Sequence, residues 1–376
     1  MPWYGPSSFL HLTVTALGHP AVVHSRRDSN RTETRANRPL EALPRNPPLT
    51  EAIIVKKAVF FLIEVLGFTL FTKAIATLIF GLPANSMAAQ VGIWFLFGLA
   101  ILLLAWIFNK LLRGWRIQDL GFRCHKSFVA DLWLGVCGFA VSNLLTLPFD
   151  IMAIDERANM AHAIVGQFHF SSSLQVLVGG TALAAALGFF TGAFHEEIRF
   201  RGYYQGAGSS AVTPLAGLLI GLIPFSLGHY YAHPDWSFVQ VLATLVPGII
   251  YALLFHATRS LIVVMTAHTL DNVLPFIPFL LHEITGRRAV TLTSIGTLGL
   301  LSLLLIVLRW NRELRSWRNA TQTLFTDRPY FGVATGALIG LALLALWPHE
   351  FRPQYSALAG ALLFAIVYVG RTVKSS

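Results

Sequence analysis

The chain has 376 residues, 55% of them hydrophobic and only 12% charged, with a mean hydropathy of +0.61. A soluble domain carries roughly twice that charged fraction, so the composition excludes an ordinary globular protein and makes the lipid bilayer the expected solvent. The net charge of +10 does not argue for a nucleic-acid partner, because cytoplasmic loops of membrane proteins collect Lys and Arg.

Residues 1–50 differ in kind from the rest. The stretch "SRRDSNRTETRANRPLEALPRNPPLT" (25–50) is rich in Arg, Asn, Thr and Pro and has too little apolar surface to offset the entropy of ordering it, which predicts a disordered basic tail. The apolar patch before it lacks a basic n-region and a clear small-residue cleavage site, so no signal peptide is expected there. From Lys56 onward, apolar stretches recur near 58–82, 92–112, 128–149, 173–194, 211–231, 237–256, 260–281, 289–308, 330–347 and 355–370. The last two are marginal in length, and the set predicts an all-α, polytopic transmembrane bundle of about eight to ten helices. The expected organisation is a tail (1–50), N-terminal membrane helices (51–127), a core (128–285) and C-terminal membrane helices (286–376).

Loop charge predicts orientation. Lys56 and Lys57, the loop over 109–126, the stretch "RWNRELRSWRN" (309–319) and the end "GRTVKSS" are basic, whereas 82–90 is uncharged and 150–156 acidic. Alternation puts both termini on the cytoplasmic side, with Arg287 and Arg288 falling against the rule. Cys124 and Cys137 are too few for a disulfide framework or a thiolate metal site.

Three polar clusters interrupt this apolar pattern. The first, "FHEEIRFRGYYQ" (194–205), ends a run able to cross a bilayer, although a charge at mid-bilayer costs about 2.5–3.5 kcal/mol. The zinc-protease pattern H-E-x-x-H fails, because its fifth position is Arg199. In Glu-Glu-x-x-x-Arg, Glu197 and Arg201 are i,i+4 neighbours that can pair. Glu196 lies about 100° around the helix, turned elsewhere and available for chemistry. The bland alternative is a helix end whose charges are solvated at the interface.

The second cluster, "FSLGHYYAH" (225–233), places Phe225 and His229 one turn apart. The third, "AHTLDN" (267–272), places His268 and Asn272 on one helix face, with Asp271 between them. Buried polar groups in a bilayer need partners, and one shared intramembrane site accounts for all three clusters. A lone histidine on an apolar face is more often a satisfied structural residue, and His233, beside Pro234, reads as a loop histidine rather than an extra ligand.

In this order the clusters resemble the CAAX prenyl protease 2-like intramembrane proteases, also called the CPBP or Abi family and typified by the Ras-converting enzyme. Glu196-Glu197 with Arg201, Phe225 with His229, and His268 with Asn272 fill the family's three motifs, and the resemblance covers roughly 128–285. It implies an endopeptidase acting on a peptide or protein substrate reached from the membrane. Glu196 would take a proton from water, with His229 positioning that water, and His268 and Asn272 would supply an oxyanion hole. Glu197 and Arg201 would hold their helix in register while Phe225 packs. No cofactor is required by this mechanism, although Glu196 with two histidines is also compatible with zinc.

The bacterial inner membrane is the expected location. The alternatives are a silent scaffold of the same family, or an ion- or proton-coupled transporter, which the lack of an evident internal repeat disfavours. Helix geometry raises one difficulty. If the Glu196 helix ends near Gly206 and the next span starts at 211, Glu196 sits about 15 Å and His229 about 27–30 Å from those ends. Levelling them would require a break near Gly217, Gly221 or Pro224.

Overall fold

The computed structural model describes residues 51–83, 86–125, 127–166, 172–232, 238–326, 328–346 and 353–372. The basic tail (1–50) and His233 lie outside them. Among the described residues the chain is helical and contains no strand. The helices are α1 (Glu51–Phe80), α2 (Met87–Arg113), α3 (Phe128–Met152), α4 (Ile154–Gly166), α5 (Ser173–Ala211), α6 (Pro214–Ala232), α7 (Phe238–Thr258), α8 (Leu261–Thr285), α9 (Arg288–Leu324), α10 (Pro329–Ala345) and α11 (Pro353–Thr372).

Six of the described helices are long and apolar enough to cross a membrane by length and composition: Ala89–Arg113, Phe128–Met152, Ser173–Ala211, Val239–Thr258, Leu261–Thr285 and Arg288–Leu308. Three shorter apolar helices, Pro214–His229, Pro329–Ala345 and Pro353–Val369, fall where further spans are predicted, the last two among them short as expected. The protein is an integral membrane protein.

Local sequence sets several boundaries. Ser86, Ser127 and Ser172 cap α2, α3 and α5, each accepting a hydrogen bond from the backbone three residues on. Each thereby satisfies an N–H that the first helical turn leaves unpaired. α2 ends at Gly114, whose φ of 68° is left-handed and suits glycine.

α5 lies at the centre, packed by α2, α6, α7 and α8, while α3 backs α7, α8 and α9. α10 braces α6 through Gly332, Gly336 and Gly340. A methyl carbon at Gly336 would stand 2.8 Å from the Ala216 Cα, so the two backbones nearly touch. Small residues permit such approach where apolar burial gives no driving force between helices. A buried ion pair joins the N-terminal helices to α5. Arg113 donates to both oxygens of Glu64 (2.6 and 2.8 Å), and the Tyr203 hydroxyl donates to Glu64 Oε1 at 2.8 Å.

Candidate active site

α5 carries Glu196, Glu197 and Arg201, α6 carries Phe225 and His229, and α8 carries His268 and Asn272. α5 is continuous but not uniformly α-helical. Its turns widen over Gly188–Ala193 and again over Glu197–Gln205, where the Phe194 N–H reaches the Phe189 carbonyl and the Gly206 N–H the Arg201 carbonyl. Widened turns of this kind are rare and concentrate at functional sites.

The expected mismatch in depth is absent, and the reason is where α5 ends. It runs on to Ala211 rather than stopping near Gly206, and α6 begins at Pro214. Glu196 stands 15 residues before Ala211 and His229 stands 15 residues after Pro214, so the two are level in the hairpin. Its register is set by glycine. A methyl carbon at Gly217 would stand 2.5 Å from the Gln205 carbonyl oxygen, and one at Gly221 would stand 2.6 Å from that of Phe200. No break at Gly217, Gly221 or Pro224 is needed to bring the motifs together. His229 and His268 are accordingly the two leading charge neighbours of Glu196.

The Glu197–Arg201 pair forms as expected, at 3.2 Å, with both side chains fully buried. Arg201 also donates to the Gly248 carbonyl on α7 at 3.2 Å, and its guanidinium lies 3.9 Å from the Phe225 ring centroid. Phe225 packs against this group, and its ring supplies a cation–π face for a desolvated arginine. The ring also meets both histidines edge-on, at centroid distances of 5.2 Å to His229 and 5.8 Å to His268.

His268 stands between the two glutamates. Its Nδ1 is 2.7 Å from Glu197 Oε1 and its Nε2 is 3.7 Å from Glu196 Oε2. An ionised carboxylate only accepts, so Nδ1 carries a proton, and Nε2 accepts in the neutral ring or donates in the doubly protonated one. Glu197 thus orients the imidazole in addition to pairing Arg201, a role that sequence reading does not assign. His229 is fixed similarly, with Nδ1 2.7 Å from the Phe225 carbonyl. That oxygen can only accept, so Nε2 is the acceptor of the neutral ring.

Asn272 donates from Nδ2 to the Gly188 carbonyl at 3.1 Å, which uses one of its two amide protons. Gly192 completes the arrangement. A methyl carbon there would stand 2.9 Å from Asn272 Nδ2 and 3.7 Å from His268 Nε2, so only glycine lets the Asn272 amide approach this closely. Sequence reading also passes over Gly192 and Tyr251. The signal for Tyr251 was Asp271, a carboxylate in an apolar span that required a partner and has the Tyr251 hydroxyl as one. His195, second residue of the first cluster, stacks on Trp94 at 5.2 Å.

For zinc, the donor set is a poor match. Among the described residues no three His, Cys, Asp or Glu side chains are gathered as a metal group, and both His268 nitrogens face carboxylates.

The fold and site together define a polytopic membrane protein with a partly buried carboxylate–histidine centre built from three helices. Residues 164–274 match the family described as "Type II CAAX prenyl endopeptidase Rce1-like", so the chain carries an Rce1-like domain there, which includes every motif residue. The match is narrower than the 128–285 over which the motifs suggest the resemblance. No curated protein and no solved structure matches the chain.

Proposed function

We propose that the protein is an intramembrane endopeptidase that hydrolyses a peptide bond with water activated by Glu196. The observation that carries this reading is the seating of His268 between Glu197, which fixes its ring at Nδ1, and Glu196, whose Oε2 stands 3.7 Å from its Nε2. Glu196 takes a proton from water, His229 Nε2 orients that water, and the water oxygen attacks the scissile carbonyl. The doubly protonated His268 and the second amide proton of Asn272 donate to the resulting oxyanion. Glu196 then passes its proton to the leaving nitrogen as the C–N bond breaks, giving a carboxylic acid and an amine, and the acid afterwards ionises to solvent. A positioned base contributes about 10²–10⁴-fold, and each oxyanion donor about 2.7–4 kcal/mol.

The substrate is a peptide or protein segment reached from the membrane. The basic stretches over 109–126 and 309–319, the second of them within α9, support an orientation with both termini cytoplasmic, in a membrane we take to be the bacterial inner one.

The test is cleavage of a fluorogenic peptide panel, prenylated and unmodified, by purified protein in detergent, with Glu196→Gln beside the wild type and a chelator added to each. Cleavage lost in the variant and indifferent to chelator supports the mechanism. Chelator-sensitive cleavage that returns with zinc would replace it with a metal-dependent one. A Glu196→Gln protein that cuts as fast as the wild type removes the catalytic reading and leaves a scaffold.

A further inference from the structure

Tyr251 lies on α7, outside all three motifs, and is 1% exposed. Its ring stacks on the His268 imidazole, with centroids 4.9 Å apart and planes 26° from parallel. Its hydroxyl donates to Asp271 Oδ2, three residues beyond His268 and immediately before Asn272. The Arg201 guanidinium lies 5.3 Å from the same ring centroid. One side chain therefore touches the imidazole and the arginine that pairs Glu197, and it holds the turn of α8 that presents Asn272.

We infer that Tyr251 and Asp271 form a positioning clamp for His268 and Asn272. The imidazole is held at Nδ1 by Glu197, but a single hydrogen bond leaves rotation about that bond open, and a flat ring against its face closes it. The hydroxyl contact performs the same task one level up. α8 packs against α3, α5 and α7, and the Asp271 contact ties it to α7 within one turn of both site residues. Positioning errors near 1 Å cost about 10²-fold in rate, so a clamp this close to the reacting groups acts on kcat. Gly248, one turn before Tyr251, gives its carbonyl to Arg201, so α7 reaches the site at two consecutive turns although it carries none of the motif residues.

This inference rests on the protease reading, and its test is arranged to separate the two. Tyr251→Phe keeps the ring and removes the hydroxyl, Tyr251→Leu removes both, and Asp271→Asn keeps an oxygen that can accept from the phenol. Tyr251→Leu is expected to lower kcat by about 30–100-fold with KM within about threefold, and Tyr251→Phe by about 3–10-fold. Asp271→Asn should retain kcat within about threefold, whereas Asp271→Ala should match Tyr251→Phe. Combining Tyr251→Phe with Asp271→Ala should cost no more than either alone, since both remove one contact. A Tyr251→Leu protein with unchanged kcat, or a double variant whose loss is the product of the single losses, overturns the clamp.

A readout independent of turnover is the imidazole NMR signal of His268 in histidine-labelled protein, assigned with His268→Gln. The stacked tyrosine predicts a ring-current shift that survives Tyr251→Phe and disappears in Tyr251→Leu. If the wild type cuts no peptide, the protease reading fails while this shift still decides the clamp, and a shift unchanged in folded Tyr251→Leu refutes it.

Discussion

Arg201→Met isolates the part of the site that the bundle itself depends on. Arg201 and Glu197 are both 0% exposed and 3.2 Å apart, so the relevant scale is that of a buried pair. Exposed pairs contribute only about 0–1 kcal/mol. Methionine fills much of the arginine stem but leaves the Glu197 carboxylate buried without its cation, a change that costs about 3–5 kcal/mol. The lost contacts to the Gly248 carbonyl and the Phe225 ring push toward the upper end of that range. Pairing the change with Glu197→Gln removes the stranded charge, and its amide oxygen can still accept from His268 Nδ1, so at least half of the lost stability should return. The assay is denaturant unfolding in mixed micelles, followed by tryptophan fluorescence for wild type, both single variants and the double. Arg201→Met within about 1 kcal/mol of wild type, or a double variant no more stable than Arg201→Met, would refute the buried-pair argument.

Gly192→Ala places a methyl carbon 2.9 Å from Asn272 Nδ2 and 3.7 Å from His268 Nε2; kcat should fall by about 10²-fold with little change in the unfolding midpoint, and unaltered kcat would show that this close approach does not position Asn272. Tyr203→Phe removes the 2.8 Å hydrogen bond to Glu64 while Arg113 keeps both carboxylate oxygens occupied, so stability should drop by about 1.5–3 kcal/mol with kcat within threefold in the peptide assay, by contrast with Tyr251→Leu. Gly336→Val forces α10 away from Ala216 and should destabilise by about 1–3 kcal/mol as an overpacked contact, read by the same unfolding assay. For orientation, Cys124 is exposed and Cys137 buried, so an impermeant maleimide should label intact cells only after the inner membrane is breached; labelling without permeabilisation reverses the assignment.

Much of the fold is legible because a bilayer leaves few solutions. Backbone polar groups must be satisfied within each span, so a run such as 92–112 or 128–149 forms a helix whatever its neighbours do. What the runs do not reveal is where a helix ends when its last turns are built of small residues. "GAGSSA" (206–211) reads as a loop by composition, since glycine and serine are weak helix formers. It is nevertheless helical, because tight packing against α6 at Gly217 requires small residues there. That single boundary produced the apparent depth conflict between Glu196 and His229.

The motif residues are legible for a different reason: each is a polar group where an apolar one is expected, and cost alone marks it. The division of labour between the glutamates was legible only in part. Adjacent positions on a helix face different ways, so one could be given to Arg201 and the other to chemistry. That Glu197 also holds His268 depends on α8 approaching α5 closely, and this approach rests on Gly188, where a methyl carbon would stand 2.8 Å from the Asn272 Cβ. A glycine in an apolar span announces close packing without naming its partner. The same limit hid Tyr251, whose ring suits the apolar face of α7 while its hydroxyl serves a carboxylate on α8. Asp271 carried the missing information, since a carboxylate in an otherwise uncharged span implies a donor on a neighbouring helix. The sequence therefore locates the groups that are expensive to bury, and the structure supplies the inexpensive residues, glycine and tyrosine, that make burying them workable.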